Sequence, residues 1–190
     1  MGAYLDEDMV AHEPDFIAYP HLLVCMGVTL LMTDGSLLGA HVVEQQSQDE
    51  AFAGMQEFMR TIALAGITPD RLYLTGNVGI HVQSADNAHG KARKLGYAGI
   101  VYVFDTSLIK PKDGTFVMLT SKGPGVHPTI QYKRNEKVKI ARQEGMAYRM
   151  GKFRKHYGLG AGHQMVGTSK LNELTADLHC NKITEVHPPH

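Results

Sequence analysis

The chain has 190 residues, of which 43% are hydrophobic and 20% are charged, and its 19 basic and 19 acidic residues cancel to a net charge of zero. This length predicts one domain, or a domain with a modest extension, whose core needs no disulfides. No run approaches the roughly 18 apolar residues of a membrane span, and the acidic N-terminus lacks the basic region of a Sec signal peptide. We therefore expect synthesis in a cytoplasm, with free thiols at Cys25 and Cys180 and with export as an effector left open.

The charges are distributed unevenly along the chain. Residues 1–59 contain ten acidic residues and no Lys or Arg, whereas residues 60–190 contain all 19 basic residues and nine acidic ones. Two interpretations follow: the two segments attract each other within the chain, or one of them binds a charged partner. Intramolecular packing is the simpler one, because the opposite charges are already present in equal amounts.

The elements are predicted in chain order from apolar periodicity and turn residues. Residues 1–20 form an irregular acidic arm, and two apolar runs around Thr33-Asp34-Gly35-Ser36 form a β-hairpin. Apolar residues spaced by three and four predict an amphipathic helix over residues 48–65, ended by Gly66. The remaining predicted elements are strands at 71–75, 80–83, 99–104, 115–120 and 130–132, and helices at 86–95 and 169–178.

The C-terminal part of the chain is strongly basic. Residues 133–156 contain nine Lys or Arg and two Glu, and their few apolar residues indicate a surface helix with a basic face. The predicted organisation has three parts: an acidic arm (1–20), an α/β core (21–132) and a basic helical extension packed on the core (133–190). The predicted fold is mixed α/β, a central sheet or sandwich flanked by helices, with Cys25 and His41 on adjacent strands.

The register of the hairpin decides whether Cys25 and His41 can meet. With a three-residue loop that has Gly35 in the left-handed conformation, Cys25 lies opposite Val43 and shares a face with His41. The two residues are then diagonal neighbours, roughly 7 to 8 Å apart at the backbone. With a two-residue Asp34-Gly35 loop, His41 turns to the opposite face.

A thiol beside an imidazole is a nucleophile and its base, because the imidazole accepts the thiol proton and leaves a thiolate. The competing interpretation is that Cys25 is a small buried hydrophobic residue and His41 a hydrogen-bonded histidine of the core.

The sequence around this pair resembles a known group of enzymes. The run Val24-Cys25-Met26-Gly27-Val28-Thr29-Leu30-Leu31, the turn at Asp34-Gly35 and the run Leu38-Gly39-Ala40-His41 are similar to the bacterial Cys-His glutamine deamidases, the chemoreceptor-deamidase and cytotoxic-necrotizing-factor group. Residues 71–77 look like that group's strand ending in a glycine turn. The resemblance covers roughly residues 21–120.

The resemblance implies a protein glutamine deamidase, a toxin or effector that acts on a partner protein. Cys25 would be the nucleophile and His41 the base. The group also has a Thr or a backbone atom that orients the histidine, and no Ser or Thr in residues 1–24 matches it. Candidates for orienting His41 or binding substrate are therefore Tyr19, Gln45, Asn77 and a main-chain carbonyl.

No cofactor or metal is predicted. The spacing of His179, Cys180, His187 and His190 fits no common zinc module, and nucleotide-binding and serine-hydrolase motifs are missing from the sequence. The basic C-terminal segment also suggests an alternative function, a non-catalytic protein that binds its partner through residues 133–156. Nucleic acid is not the expected partner, because the net charge of zero gives no overall attraction to polyanions.

Overall fold

Two stacked β-sheets and one long helix make up the computed structural model of this chain. It describes all residues except 1, 6, 8, 44–47, 82–89, 91, 110–113, 135–138, 141–146, 151–152, 158–164, 167–183 and 187–190. The helices are α1 (Gln48–Ala63) and the short α2 (Val78–His81), with a 3-10 helix at Thr106–Ile109.

The strands follow one another along most of the described chain. In order they are β1 (Ala3–Tyr4), β2 (Met9–Glu13), β3 (Phe16–Leu22), β4 (Met26–Met32), β5 (Leu37–Val42), β6 (Pro69–Gly76), β7 (Val101–Asp105), β8 (Thr115–Thr120), β9 (Thr129–Arg134), β10 (Lys139–Ile140), β11 (Ala147–Met150), β12 (Phe153–Tyr157), β13 (Met165–Val166) and β14 (Thr184–Val186).

The larger sheet has the strand order β11-β12-β2-β5-β4-β6-β7-β14, and the smaller one has the order β1-β3-β8-β9; β10 and β13 pair separately. Strands β4 and β5 are central to the larger sheet. The mixed α/β class predicted from the sequence is confirmed, and the two sheets make the fold a sandwich.

The β4–β5 hairpin has the register of the three-residue loop. Gly35 adopts φ 88°, and the Met32 N–H donates to the Ser36 carbonyl over 2.8 Å. Gly27 therefore lies opposite His41 and Met26 opposite Val42. Glycine is needed at position 35 because a side chain is strained at that positive φ. The glycine thus fixes the face of the sheet on which His41 lies.

The larger sheet buries both of its faces. On one face Val28, Leu30 and Leu72 pack with α1 through Phe52 and Met55. Side chains of the alternate residues face the smaller sheet, since successive residues of a strand point to opposite faces. Together with side chains of the smaller sheet, they form the inter-sheet layer. Its members include Ala11, Ile17, Tyr19, Cys25, Leu31, Leu37, Tyr73, Phe104, Val117 and Leu119.

Tyr19 of β3 packs directly against the backbone of two strands of the larger sheet. A Cβ built on Gly27 would lie 2.6 Å from its ring, and one built on Gly39 would lie 2.5 Å from its hydroxyl. The Tyr19 hydroxyl donates to the Val28 carbonyl over 2.9 Å and lies 2.6 Å from Thr29 Oγ1. Two glycines on adjacent strands therefore make room for one buried tyrosine.

Several predicted elements differ from the structure. The acidic arm is not irregular, because residues 3–22 form β1, β2 and β3, each paired with a strand that is not its immediate neighbour in sequence. The strand predicted at 80–83 is wrong for residues 80 and 81, which belong to α2. The first 20 residues are therefore part of both sheets.

The C-terminal segment also differs from its prediction. Its described residues form β10 to β14 instead of a basic helix, and β12 pairs in parallel with β2. The backbone of a basic segment thus lies beside that of the acidic N-terminal segment. The predicted tail helix at 169–178 lies outside the described residues, as does most of the helix predicted at 86–95, where Gly90 and residues 92–94 are helical.

No helix among the described residues combines the length and the apolar character needed to cross a bilayer.

We expect Gly39→Ala to lower the free energy of unfolding by roughly 1–3 kcal/mol, the usual cost of overpacking a core. The added methyl group would meet the Tyr19 hydroxyl at 2.5 Å and Ile17 Cγ2 at 2.8 Å. Urea unfolding followed by circular dichroism measures the effect. Gly90→Ala is the control, because a Cβ there meets no atom within 4 Å and alanine is the better helix former. Equal stability of the two variants would contradict the close sheet contact.

Glu13, the last residue of β2, is a buried acid at the end of the larger sheet. It is 2% exposed, and its Oε1 has no hydrogen-bond partner among the described residues. Burial raises the pKa of Glu13 to about 7, and the nearby Asp15 acts in the same direction. The folded protein therefore keeps this carboxyl protonated at pH values where the unfolded chain has lost the proton.

The free energy of unfolding should fall as the pH rises from about 4.5 to about 7, because the native state binds more protons there than the unfolded state. Glu13→Gln mimics the protonated carboxyl and should remove this contribution. The measurement is the difference in unfolding free energy between the two proteins, from urea titrations across that pH range. A difference that stays constant with pH would show that Glu13 titrates normally.

Candidate active site

Three adjacent strands place His41, Gly27 and Thr75 side by side. Gly27 of β4 lies opposite His41 of β5 and opposite Thr75 of β6. Directly opposite residues of an antiparallel sheet share a face. The row His41–Gly27–Thr75 therefore faces the inter-sheet layer, and Tyr19 covers it from the smaller sheet.

Cys25 lies immediately before β4 and not within it, so the structure does not show Cys25 and His41 on adjacent strands. The residue is nevertheless buried, at 3% exposure, and belongs to the inter-sheet layer. It precedes Gly27 by two residues, which gives it the same face as His41 if the register of β4 continues for one residue. Leu23 and Val24 beside it are 38% and 50% exposed, so the segment that carries Cys25 reaches the surface.

His41 is fully buried and oriented by the main chain. Its Nδ1 lies 2.7 Å from the Leu5 carbonyl oxygen. A carbonyl only accepts hydrogen bonds, so Nδ1 must carry the proton, and in the neutral ring Nε2 is the nitrogen with the lone pair. Of the predicted orienting groups, the main-chain carbonyl is therefore the one that the structure shows.

Tyr19 was a candidate for orienting His41, and it contacts the ring by packing. The two rings meet edge to face with centroids 5.9 Å apart. Its hydroxyl bonds to Val28 and Thr29. Burial raises the pKa of Tyr19, so the phenol stays neutral.

Asn77 and His81 hold the segment that carries Cys25. The Asn77 side chain donates through Nδ2 to the Leu23 carbonyl over 3.2 Å, and its backbone N–H donates to the Cys25 carbonyl over 3.0 Å. His81 Nε2 donates to the Val24 carbonyl over 2.8 Å. The carbonyls of Leu23, Val24 and Cys25 are thus all bound by Asn77 and His81, which follow β6. The structure gives Asn77 an anchoring role, whereas the sequence suggested it for orientation or substrate binding.

Thr75 and His81 are the residues that sequence reasoning missed. Thr75 is fully buried, and its Oγ1 has no hydrogen-bond partner among the described residues. Nothing in the sequence distinguishes it from an ordinary strand threonine, because its place beside Gly27 depends on the pairing of β4 with β6. His81 lies in a segment predicted to begin a strand, where its bond to the Val24 carbonyl could not be foreseen.

Gln45, a candidate for orienting His41 or binding substrate, lies outside the described part of the chain. So do the four tail residues that were weighed as metal ligands: His179, Cys180, His187 and His190. Within the described part, no three His, Cys, Asp or Glu side chains come together as metal ligands would.

Comparisons with known proteins identify no relative: no protein-family model, no curated protein and no solved structure matches the chain.

His81→Leu should loosen the segment before β4, because it leaves the Val24 carbonyl without its donor at 2.8 Å. We expect faster amide hydrogen exchange over residues 23–26, measured by mass spectrometry of the peptide. Ile80→Ala is the control, since Ile80 is on the same short helix and is 51% exposed. Unchanged exchange in the His81 variant would show that this bond does not hold the segment.

Proposed function

We propose that this protein is a protein glutamine deamidase in which Cys25 is the nucleophile and His41 the general base. One observation carries the proposal: the Leu5 carbonyl fixes His41 with Nε2 as the accepting nitrogen, in the same inter-sheet layer that contains Cys25. A general base needs an unprotonated ring nitrogen, and this tautomer provides it at Nε2. The resemblance of residues 21–120 to the Cys-His deamidases supports the choice of reaction.

The first half-reaction forms a thioester. His41 Nε2 accepts the Cys25 proton, and the thiolate attacks the carbonyl carbon of a glutamine side chain. Backbone N–H groups near Cys25 would bind the oxyanion of the tetrahedral intermediate. The C–N bond then breaks, and the imidazolium gives its proton to the leaving nitrogen, which departs as ammonia.

The second half-reaction regenerates the enzyme. His41 accepts a proton from water, which attacks the thioester; the C–S bond breaks and Cys25 recovers its proton. The net change is glutamine plus water to glutamate plus ammonia. A primary amine in place of water gives transglutamination at the same site.

The substrate is proposed to be a protein, and the resemblance favours a toxin-like effector acting on a host or competitor protein. The position of Cys25 supports a macromolecular substrate. Its segment is exposed at Leu23 and Val24, which gives a protein substrate a surface to contact beside Cys25.

The decisive test is the reactivity of Cys25 in a Cys180→Ser protein, where it is the sole cysteine. Iodoacetamide should alkylate it at neutral pH faster than a model thiol, because His41 maintains the thiolate. A thiol that is only buried, at 3% exposure, should react more slowly than the model thiol. His41→Ala should remove the enhancement, and His12→Ala, a half-buried histidine bonded to Ser36, is the matched control. Slow alkylation of folded wild-type protein would refute the proposal.

The same variants test turnover. Ammonia release from dimethylcasein, with a one-dalton mass gain on its glutamines, should disappear in both Cys25→Ser and His41→Ala, because nucleophile and base act as a unit. Equal ammonia release by wild-type protein and both variants would assign the activity elsewhere.

A further inference from the structure

Thr75 is a buried residue whose hydroxyl makes no hydrogen bond to any residue that the structure describes. It is 0% exposed, and Oγ1 has no hydrogen-bond partner among the described residues. Buried hydroxyls are normally satisfied, so an unsatisfied one calls for a physical reason. A valine of nearly the same shape would fill this position without leaving a hydroxyl unbonded.

The Thr75 hydroxyl lies on the face that carries the proposed catalytic pair. A Cβ built on Gly27 would lie 2.8 Å from Thr75 Oγ1, so the hydroxyl occupies the space beside Gly27. Gly27 is flanked by His41 on its other side and follows Cys25 by two residues. The Asn77 N–H donates to the Cys25 carbonyl, so the pairing with β6 continues to Cys25. Thr75 is therefore the diagonal neighbour of Cys25 on this face.

Two other polar groups that face this layer make hydrogen bonds elsewhere. The Tyr19 hydroxyl donates to the Val28 carbonyl, and His41 Nδ1 donates to the Leu5 carbonyl. The Thr75 O–H can therefore donate to a charge that develops on Cys25.

We propose that Thr75 is a further catalytic residue, whose hydroxyl donates a hydrogen bond to the Cys25 thiolate. The inference rests on the function proposed above. When the Cys25 S–H bond breaks, its proton goes to His41 Nε2 and the electron pair stays on Sγ. The Thr75 O–H bond remains intact and turns toward the sulfur. The hydroxyl has no partner among the described residues while the thiol is neutral and becomes bonded when the charge forms, so it favours the thiolate selectively.

The experiment measures the pH–rate profile of Cys25 alkylation by iodoacetamide in the Cys180→Ser protein. For Thr75→Val we expect the midpoint of the profile to rise by about one pH unit, which corresponds to about a tenfold lower rate near neutral pH. Its urea midpoint should be unchanged or higher, because the unsatisfied hydroxyl is gone. Thr75→Ser keeps the hydroxyl and should restore the profile.

Thr106→Val is the matched control. Thr106 is also 0% exposed with an unsatisfied Oγ1 among the described residues, but it follows β7, which β6 separates from β4. Its alkylation profile should equal that of the parent protein.

The outcomes separate this inference from the proposed function. If Thr75→Val has the same pH–rate profile of Cys25 alkylation as the parent protein, the role of Thr75 is overturned. The proposed Cys25–His41 site is not affected by that result. A slower rate that comes with an equally lowered urea midpoint, or that Thr75→Ser does not restore, also overturns it, since a purely structural role would explain either. A parent protein in which Cys25 reacts no faster than a model thiol refutes the deamidase itself.

Discussion

The packing of Tyr19 against Gly27 and Gly39 is the constraint on which the rest of the structure depends. A side chain at position 27 or 39 would occupy the space that Tyr19 fills between the sheets. Gly27 and Gly39 provide this gap on adjacent strands. Because the ring of Tyr19 then lies edge-on against His41, the same contact that joins the sheets also fixes one side of the imidazole.

The other side of the imidazole depends on the N-terminal segment. Leu5 follows β1, which pairs in parallel with β3, and the Leu5 N–H donates to the Ala18 carbonyl over 2.7 Å. The Leu5 carbonyl is thereby aimed at His41. A main-chain carbonyl cannot be protonated or replaced by a side-chain substitution, so it holds one tautomer of the histidine at any pH where the ring is neutral. The first residues of the chain are therefore part of the candidate site as well as of the fold.

The sequence predicts what depends on local chemistry and misses what depends on distant pairing. The Asp34-Gly35 turn and the apolar runs beside it predict the β4–β5 hairpin, and the spacing of Phe52, Met55 and Ile62 predicts α1. The sequence left two registers of the hairpin open, and the structure shows the register of the three-residue loop. Strands β1, β2 and most of β3 lie in the segment predicted to be irregular, because each of them pairs with a strand that is not its neighbour in sequence. Thr75 was missed for the same reason. The Cys25–His41 pair could be selected as a candidate, but its orienting carbonyl could not, since a carbonyl has no sequence signature.

The burial of Cys25 does not by itself decide between a structural and a catalytic thiol. A structural cysteine needs only apolar neighbours, and Tyr73 and Phe104 of the inter-sheet layer would provide them. The layer also contains a histidine with a defined tautomer and an unsatisfied threonine hydroxyl, on both sides of a glycine. The imidazole is bonded to the Leu5 carbonyl, whereas a buried hydroxyl that lacks a partner lowers the stability of the fold. Thr106 and Thr115 also have an unsatisfied hydroxyl among the described residues, so the threonine alone does not distinguish this row. What distinguishes the row is that the threonine, the histidine and the only described cysteine face the same layer, and this is the arrangement on which the proposed function rests.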